Sequence, residues 1–286
     1  MNKIKIISLI ILSVSIFLLQ SAIFAETINA PYLDDVHWLM PFQQTVGLYS
    51  FDYNLNDLSG HSNNLIGVNI DSSNFVAGED FWKSICINVV RDYGPNPHPN
   101  SQFGYISHEN ANDFDMGMSD FTVEIITKPL KGDPYRRGMV CKKENYSITT
   151  PGWELELANA GTEEIPYDVL MDLSDGVNCL HQHWGDVNRY NGRWIYIAVV
   201  VDRKKGQMQL YLDGKPHGDP IDISFITGEI SNPTKDFSIA RHISDPHHDY
   251  TGLIDEVCIT KKALTSDEIW SRNPHSNPVK IAVQKK

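Results

Sequence analysis

Cysteine is sparse in this chain, four in 286 residues, and none falls in the close CxxC or Cys/His spacing of a zinc site. There is no GxSxG, no HExxH and no phosphate loop, so the commonest sequence grounds for a hydrolase, a metalloprotease or a nucleotide-binding protein are missing. Long helical periodicity, internal repeats and low-complexity tracts are absent too, which argues against bundles and solenoids. Positive charge is in deficit, with 24 Lys and Arg against 36 Asp and Glu. A formal charge of −12 gains nothing from nucleic acid or anionic lipid. It fits a soluble exported protein and leaves carboxylates for calcium.

The one long apolar run stands at the start. Lys3 and Lys5 precede Ile6 to Leu19, and small residues lead to Ala25 before Glu26, the pattern of an export signal over residues 1–25 cleaved after Ala25. Ile6 to Ala25 is also just long enough for an uncleaved anchor, against which stand Gln20 and the nearby serines. No cysteine follows the cleavage point, which argues against a lipoprotein, and no later stretch is apolar for long enough to span a bilayer. Export implies a secreted, periplasmic or cell-surface protein. Cleavage removes Lys3 and Lys5, taking the charge from −12 to −14, and leaves about 260 residues, a length that suits one large all-β domain.

Residues 26–44 read as an irregular leader, 45–272 as the domain, and 273–286 as a loosely held, Pro-containing basic tail. From Val46 onward, short apolar runs alternate with Gly, Asn, Asp and Pro clusters, which predicts a two-sheet antiparallel β-sandwich. Strands are expected at Val46–Phe51, Gly104–Ser107, Phe121–Pro129, Gly138–Lys142, Trp153–Leu157, Val169–Leu173 and Cys179–His183. The clearest hairpin joins Trp194–Val201 to Met208–Leu212 and closes on Asp213-Gly214, a tight-turn pair. Its first strand is apolar on both faces and so reads as central. Near the end, alternation puts Ile254, Glu256 and Cys258 on one side of a strand and Asp255, Val257 and Ile259 on the other. Asp255 then shares a face with apolar neighbours and needs a cation or backbone donors as partner. Thr265 and Glu268 form a capping box that starts a short helix.

Cys86, Cys141, Cys179 and Cys258 admit two readings: two disulfides with three possible connectivities, or free buried thiols.

Four blocks in order resemble the laminin-G-like (concanavalin A-like) jelly-roll family. They are GLYSFDYNLNDLSGHSNNLIG (Gly47 to Gly67), DFTVEIITKPL (Asp120 to Leu130), RWIYIAVVVDRKKGQMQLYLDGK (Arg193 to Lys215) and GLIDEVCITKKALTSDEI (Gly252 to Ile269). Leu65 stands where many members have Gly, and Cys258 where an Arg is common. The resemblance implies a concanavalin A-like jelly roll. It also implies a structural Ca2+ between the opening region and the last strand, with Asp57 and Asp255 as ligands, a Gly60 carbonyl, and Asp52 in reserve. The simpler role for Asp57 is an Asx-type turn with Ser59 and Gly60.

Glucanases of the resembled superfamily carry Glu-x-Asp-x-x-Glu on a concave strand. Here Glu154-Leu-Glu156-Leu-Ala-Asn159 has Asn in place of the third acid, so the catalytic set is incomplete and a solvated strand face is the expectation. His181 and His183, two apart on a strand, share a face and could share a transition metal; His242, His247, His248 and Asp249 cluster in a later loop. Trp184 and Tyr190, with Asp186, Asn188 and Arg189 between them, make an aromatic platform flanked by hydrogen-bonding groups, as a sugar ring requires. With His181 and His183 this is the expected ligand patch. Packing of a long loop is the plainer explanation for the two aromatics. The resulting expectation is an exported, non-catalytic recognition module for glycan or a glycosylated, matrix-like surface. A polysaccharide-active enzyme and a structural or protein-binding adhesion module are the rivals.

Overall fold

A computed structural model describes residues 38–78, 85–89, 105–108, 112–130, 137–143, 149–158, 168–185, 187, 192–241 and 249–274. The chain divides into two units, Met1–Val36 and His37–Lys286, and everything described belongs to the second. The export signal, most of the leader and most of the tail lie outside the described residues.

In chain order the strands are β1 (Thr45–Tyr49), β2 (Ile66–Val68), β3 (Phe75–Ala77), β4 (Ile85–Val89), β5 (Tyr105–His108), β6 (Phe121–Pro129), β7 (Arg137–Lys142), β8 (Gly152–Ala158), β9 (Asp168–Ser174), β10 (Cys179–Trp184), β11 (Ile195–Asp202), β12 (Gln207–Leu212), β13 (Lys215–Asp222), β14 (Phe237–Ile239) and β15 (Gly252–Thr260), followed by helix α1 (Ser266–Arg272). They form two antiparallel sheets, as the alternating pattern predicts. The first runs β13-β12-β11-β6-β15-β4-β3 with β1 also on β15; the second runs β10-β9-β8-β7-β14-β5-β2. The core lies between them. Phe237 of β14 stacks on Phe114 at 3.9 Å and tilts against Trp153 at 6.2 Å, while the Trp153 indole N–H donates to the Phe114 carbonyl at 3.0 Å. Burial of one such phenylalanine contributes about 1.5–3 kcal/mol.

β11 is central, between β6 and β12, and buried along nearly its whole length. Asp213 and Gly214 both take positive φ, 49° and 76°, the type I′ requirement. Thr265 and Glu268 make the reciprocal capping box that opens α1.

The face pattern of β15 differs from strict alternation. A bulge between Ile254 and Glu256 inserts one residue, so Ile254 joins Val257 and Ile259 in the core instead of sharing a side with Glu256 and Cys258. Asp255 sits buried in that bulge. Glu256, on the other face, accepts from the backbone N–H of Trp38 at 2.7 Å and Leu39 at 2.5 Å, anchoring the start of the described chain. At Cys258, where relatives often carry Arg, a guanidinium arrives from α1: Arg272 Nη2 lies 3.4 Å from the sulfur.

Of the two cysteine readings, the structure takes the free thiol at all four positions. Cys141 on β7 and Cys179 on β10 are three strand spacings apart, about 14 Å and twice the reach of a disulfide. Cys86 donates its thiol to the Val76 carbonyl, and Cys258 is held beside Arg272.

Candidate functional site

The face of the second sheet turned away from the core carries the polar chemistry. Trp153, Leu155 and Leu157 of β8 point into the core, so Glu154 and Glu156 point out; Val169, Met171 and Leu173 do the same for β9 and leave Asp168 and Asp172 outward. Register lines these residues up across the strands. Ser238 pairs with Cys141, Cys141 with Glu154, Glu154 with Asp172, and Asp172 with His181. The adjacent row runs Gly138, Glu156, Leu170, His183.

Glu154, Glu156 and Asp172 bring their carboxylates within 4.8 Å of one another. All three are buried, at 1%, 0% and 1% exposure, which corrects the expectation of a solvated strand face. Carboxylates this close repel one another when charged and call for neighbouring positive charge. Arg137 on β7 and Lys143 just beyond it are buried cations of the same region. The field of the cluster is felt by the thiols. Burial and then Glu154 push the Cys141 thiol well up. Cys179 is raised by burial, with Lys143 opposing and Asp172 adding to the shift. Such a trio has the oxygen donors that suit a hard divalent cation.

The histidines sit at the edge of this cluster, half-exposed. His181 Nδ1 is hydrogen-bonded to Asp172, and His183 Nδ1 lies 3.2 Å from Asp168 Oδ2. The structure thus brings His181 and His183 together with the acids of β8 and β9. Asp168 and Asp172 were not among the residues singled out from sequence; the polar positions alternating with Val169, Met171 and Leu173 are the signal that exposes them.

Trp184 is not on this face. It is buried at 5% exposure and belongs to the core, because alternation along β10 sends it inward while His181 and His183 go outward. The aromatic platform is therefore corrected at Trp184. Tyr190, Asp186, Asn188, Arg189 and Asn159 lie outside the described residues, as do His242, His247 and His248.

Asp57 is occupied as a turn organiser. Its carboxylate accepts from Leu48 N (3.0 Å), Ser59 N (2.8 Å), Ser59 Oγ (2.7 Å) and Asn63 N (3.0 Å). Gly60 follows with φ of 91°. Four donors leave this carboxylate little capacity for the calcium expected at Asp57, Asp255, Gly60 and Asp52, and the Asx-type turn is the role seen. Asp57 braces β1 against the loop up to Asn63, whose side chain in turn donates to the Val46 carbonyl at 2.8 Å.

The sequence profile of the concanavalin A-like lectin/glucanases superfamily, laminin G type, matches residues 100–270, and the chain belongs to that family. No curated protein matches the sequence. Among solved structures, the binding domain of Paraclostridial Mosquitocidal Protein 1 aligns with a TM-score of 0.57 at 18% identity, over 79% of this chain and 51% of that one. Botulinum neurotoxin type C, whose cell entry depends upon interaction with two ganglioside molecules, aligns at 0.57 and 15% identity over 82% and 52%. The binding domain of botulinum neurotoxin DC, solved in complex with rat synaptotagmin II, aligns at 0.53 and 13% over 82% and 52%. At these identities the likeness is one of fold, and this chain spans about half the length of each of those chains.

Proposed function

We propose that this chain is an exported, non-catalytic carbohydrate-recognition domain that reads glycan hydroxyls with the outward face of its second sheet. The observation that carries the reading is the half-exposed edge of that face, where His181 and His183 each engage a carboxylate of β9, Asp172 and Asp168, in front of the buried Glu154 and Glu156. The accessible groups of that edge are two imidazoles and the Asp168 carboxylate, the donors and acceptors a sugar needs. The ganglioside dependence of one structural neighbour points the same way, although the matched region is about half of that chain. Export rests on the signal-like residues 1–25.

A second reading, a polysaccharide-active enzyme, draws on the same carboxylates. Glu154, Glu156 and Asp172 are all buried, at 1%, 0% and 1% exposure, which closes them to a sugar ring. Together with the Asn at position 159, this ranks catalysis second. Glu156→Gln is expected to leave any polysaccharide-degrading activity unchanged, and loss of a measurable activity in that variant would reverse the order.

The test is a glycan-array screen of the purified chain with Ca2+ and with a chelator. Binding to a defined glycan class is expected. Absence of binding in both conditions contradicts the lectin reading, and a Ca2+-dependent rise in Tm without binding would leave only a structural-ion role.

A further inference from the structure

We infer that His181 and His183 form a binding site for a divalent first-row transition metal, with zinc the natural probe. The pair stands two residues apart on β10, so both rings leave the same side of the sheet. Their ring centroids are 4.9 Å apart at an interplanar angle of 71°. Each ring turns Nδ1 toward its own carboxylate on the neighbouring strand: Asp172 for His181, Asp168 for His183. An Nδ1–H donated to a carboxylate fixes the tautomer that leaves the lone pair on Nε2 and orients the ring, as second-sphere carboxylates do for metal-ligating imidazoles. One Asp–His contact on a sheet edge is ordinary; two parallel contacts on adjacent rings orient a pair.

The ring separation is the one that a shared ion requires. A metal about 2.0–2.1 Å from each Nε2 stands about 3.2 Å from each centroid, so tetrahedral angles ask for centroids about 5 Å apart. The observed separation is 4.9 Å. Imidazole prefers zinc, copper or nickel to calcium or magnesium, which go to carboxylates and carbonyls. The rings are 42% and 45% exposed, giving an ion access from solvent and room for water as the remaining ligands. Behind them Glu154 and Glu156 join Asp172 in a negative cluster that favours a cation at this edge. The site shares its histidines with the proposed glycan face but is tested apart from it, since an ion bound in the absence of any sugar satisfies it.

Isothermal titration of the full chain with zinc, at neutral pH and in excess calcium, is expected to give one site. His181→Ala and His183→Ala should each weaken it by at least about tenfold, and Asp168→Asn by roughly 10–100-fold, with Tm held. Cobalt in place of zinc should give a visible ligand-field band that the double histidine variant lacks. Undetectable binding overturns the proposal. So does unchanged affinity in the double variant, which would put the ion among the other members of the chain's eleven histidines. Wild-type affinity in Asp168→Asn would overturn the orienting role of the carboxylates.

Discussion

Arg272 of α1 grips Glu124 of β6 with two prongs, Nε to Oε1 at 2.7 Å and Nη2 to Oε2 at 2.9 Å, both side chains buried. Tyr196 of β11 adds a third hydrogen bond to Oε1 at 2.5 Å. Burial alone would lower the guanidinium's pKa, but Glu124 more than offsets it and holds Arg272 firmly charged. Tyr196 is pushed well up by burial first and Glu124 second, so its hydroxyl stays a donor. The helix is thereby pinned to the outer face of the first sheet.

Breaking one side of that pair strands a buried charge. Glu124→Gln and Arg272→Met are each expected to cost about 3–5 kcal/mol, while the double variant Glu124→Leu/Arg272→Met recovers much of the loss because neither charge remains. Urea unfolding at constant m-value measures both. A double variant no more stable than the worse single one would contradict this account.

Asp175 gives the acid side of the stability profile. Burial works against its ionisation, but N–H donation from Asn178, Gly228 and Val177 outweighs it and holds the carboxyl at about 2, against 3.8 ordinarily. A depressed folded-state pKa contributes stability that is complete above the unfolded value near 4 and is lost as pH falls through about 2. Asp175→Asn should therefore flatten the stability curve between pH 4 and pH 2 and leave its shape at neutral pH alone. A variant whose acid limb matches wild type would refute the assignment.

Asp57 separates turn from ion. With four donors on its carboxylate, Asp57→Ala is expected to cost about 2–3 kcal/mol by the lost charged hydrogen bonds, equally in calcium and in chelator. Thermal unfolding in the two buffers decides it. A loss confined to calcium buffer would restore the metal role that the family resemblance implies.

Much of the scaffold was legible in the sequence because strand alternation and turn chemistry are local. Phe121–Pro129, the Asp213-Gly214 turn and the Thr265 cap depend on neighbours within a few residues. The short strands β2, β3 and β14 were not, since three residues carry too little pattern to read. Nor was the bulge at Asp255, because an inserted residue leaves no mark in composition and reverses the inferred side of Ile254. At the site, Glu154 and His181 stood out as residue types, but their meeting through Asp172 is a matter of register between strands far apart in the chain. Trp184 misled for a different reason: the sequence pattern ends the strand at His183, and one further residue of β10 puts the indole on the side opposite His181 and His183.

The most direct measurement is glycan affinity for wild type against two sets of variants, Asp168→Asn and His181→Ala on the outward face of the second sheet, and Tyr53→Ala and Trp270→Ala at exposed aromatics elsewhere. On the glycan class identified by array, the first set should weaken binding at least about tenfold with the fold intact, and the second should leave it within about twofold. Loss of binding in Tyr53→Ala or Trp270→Ala, with Asp168→Asn and His181→Ala unaffected, would contradict the placement of recognition on this face.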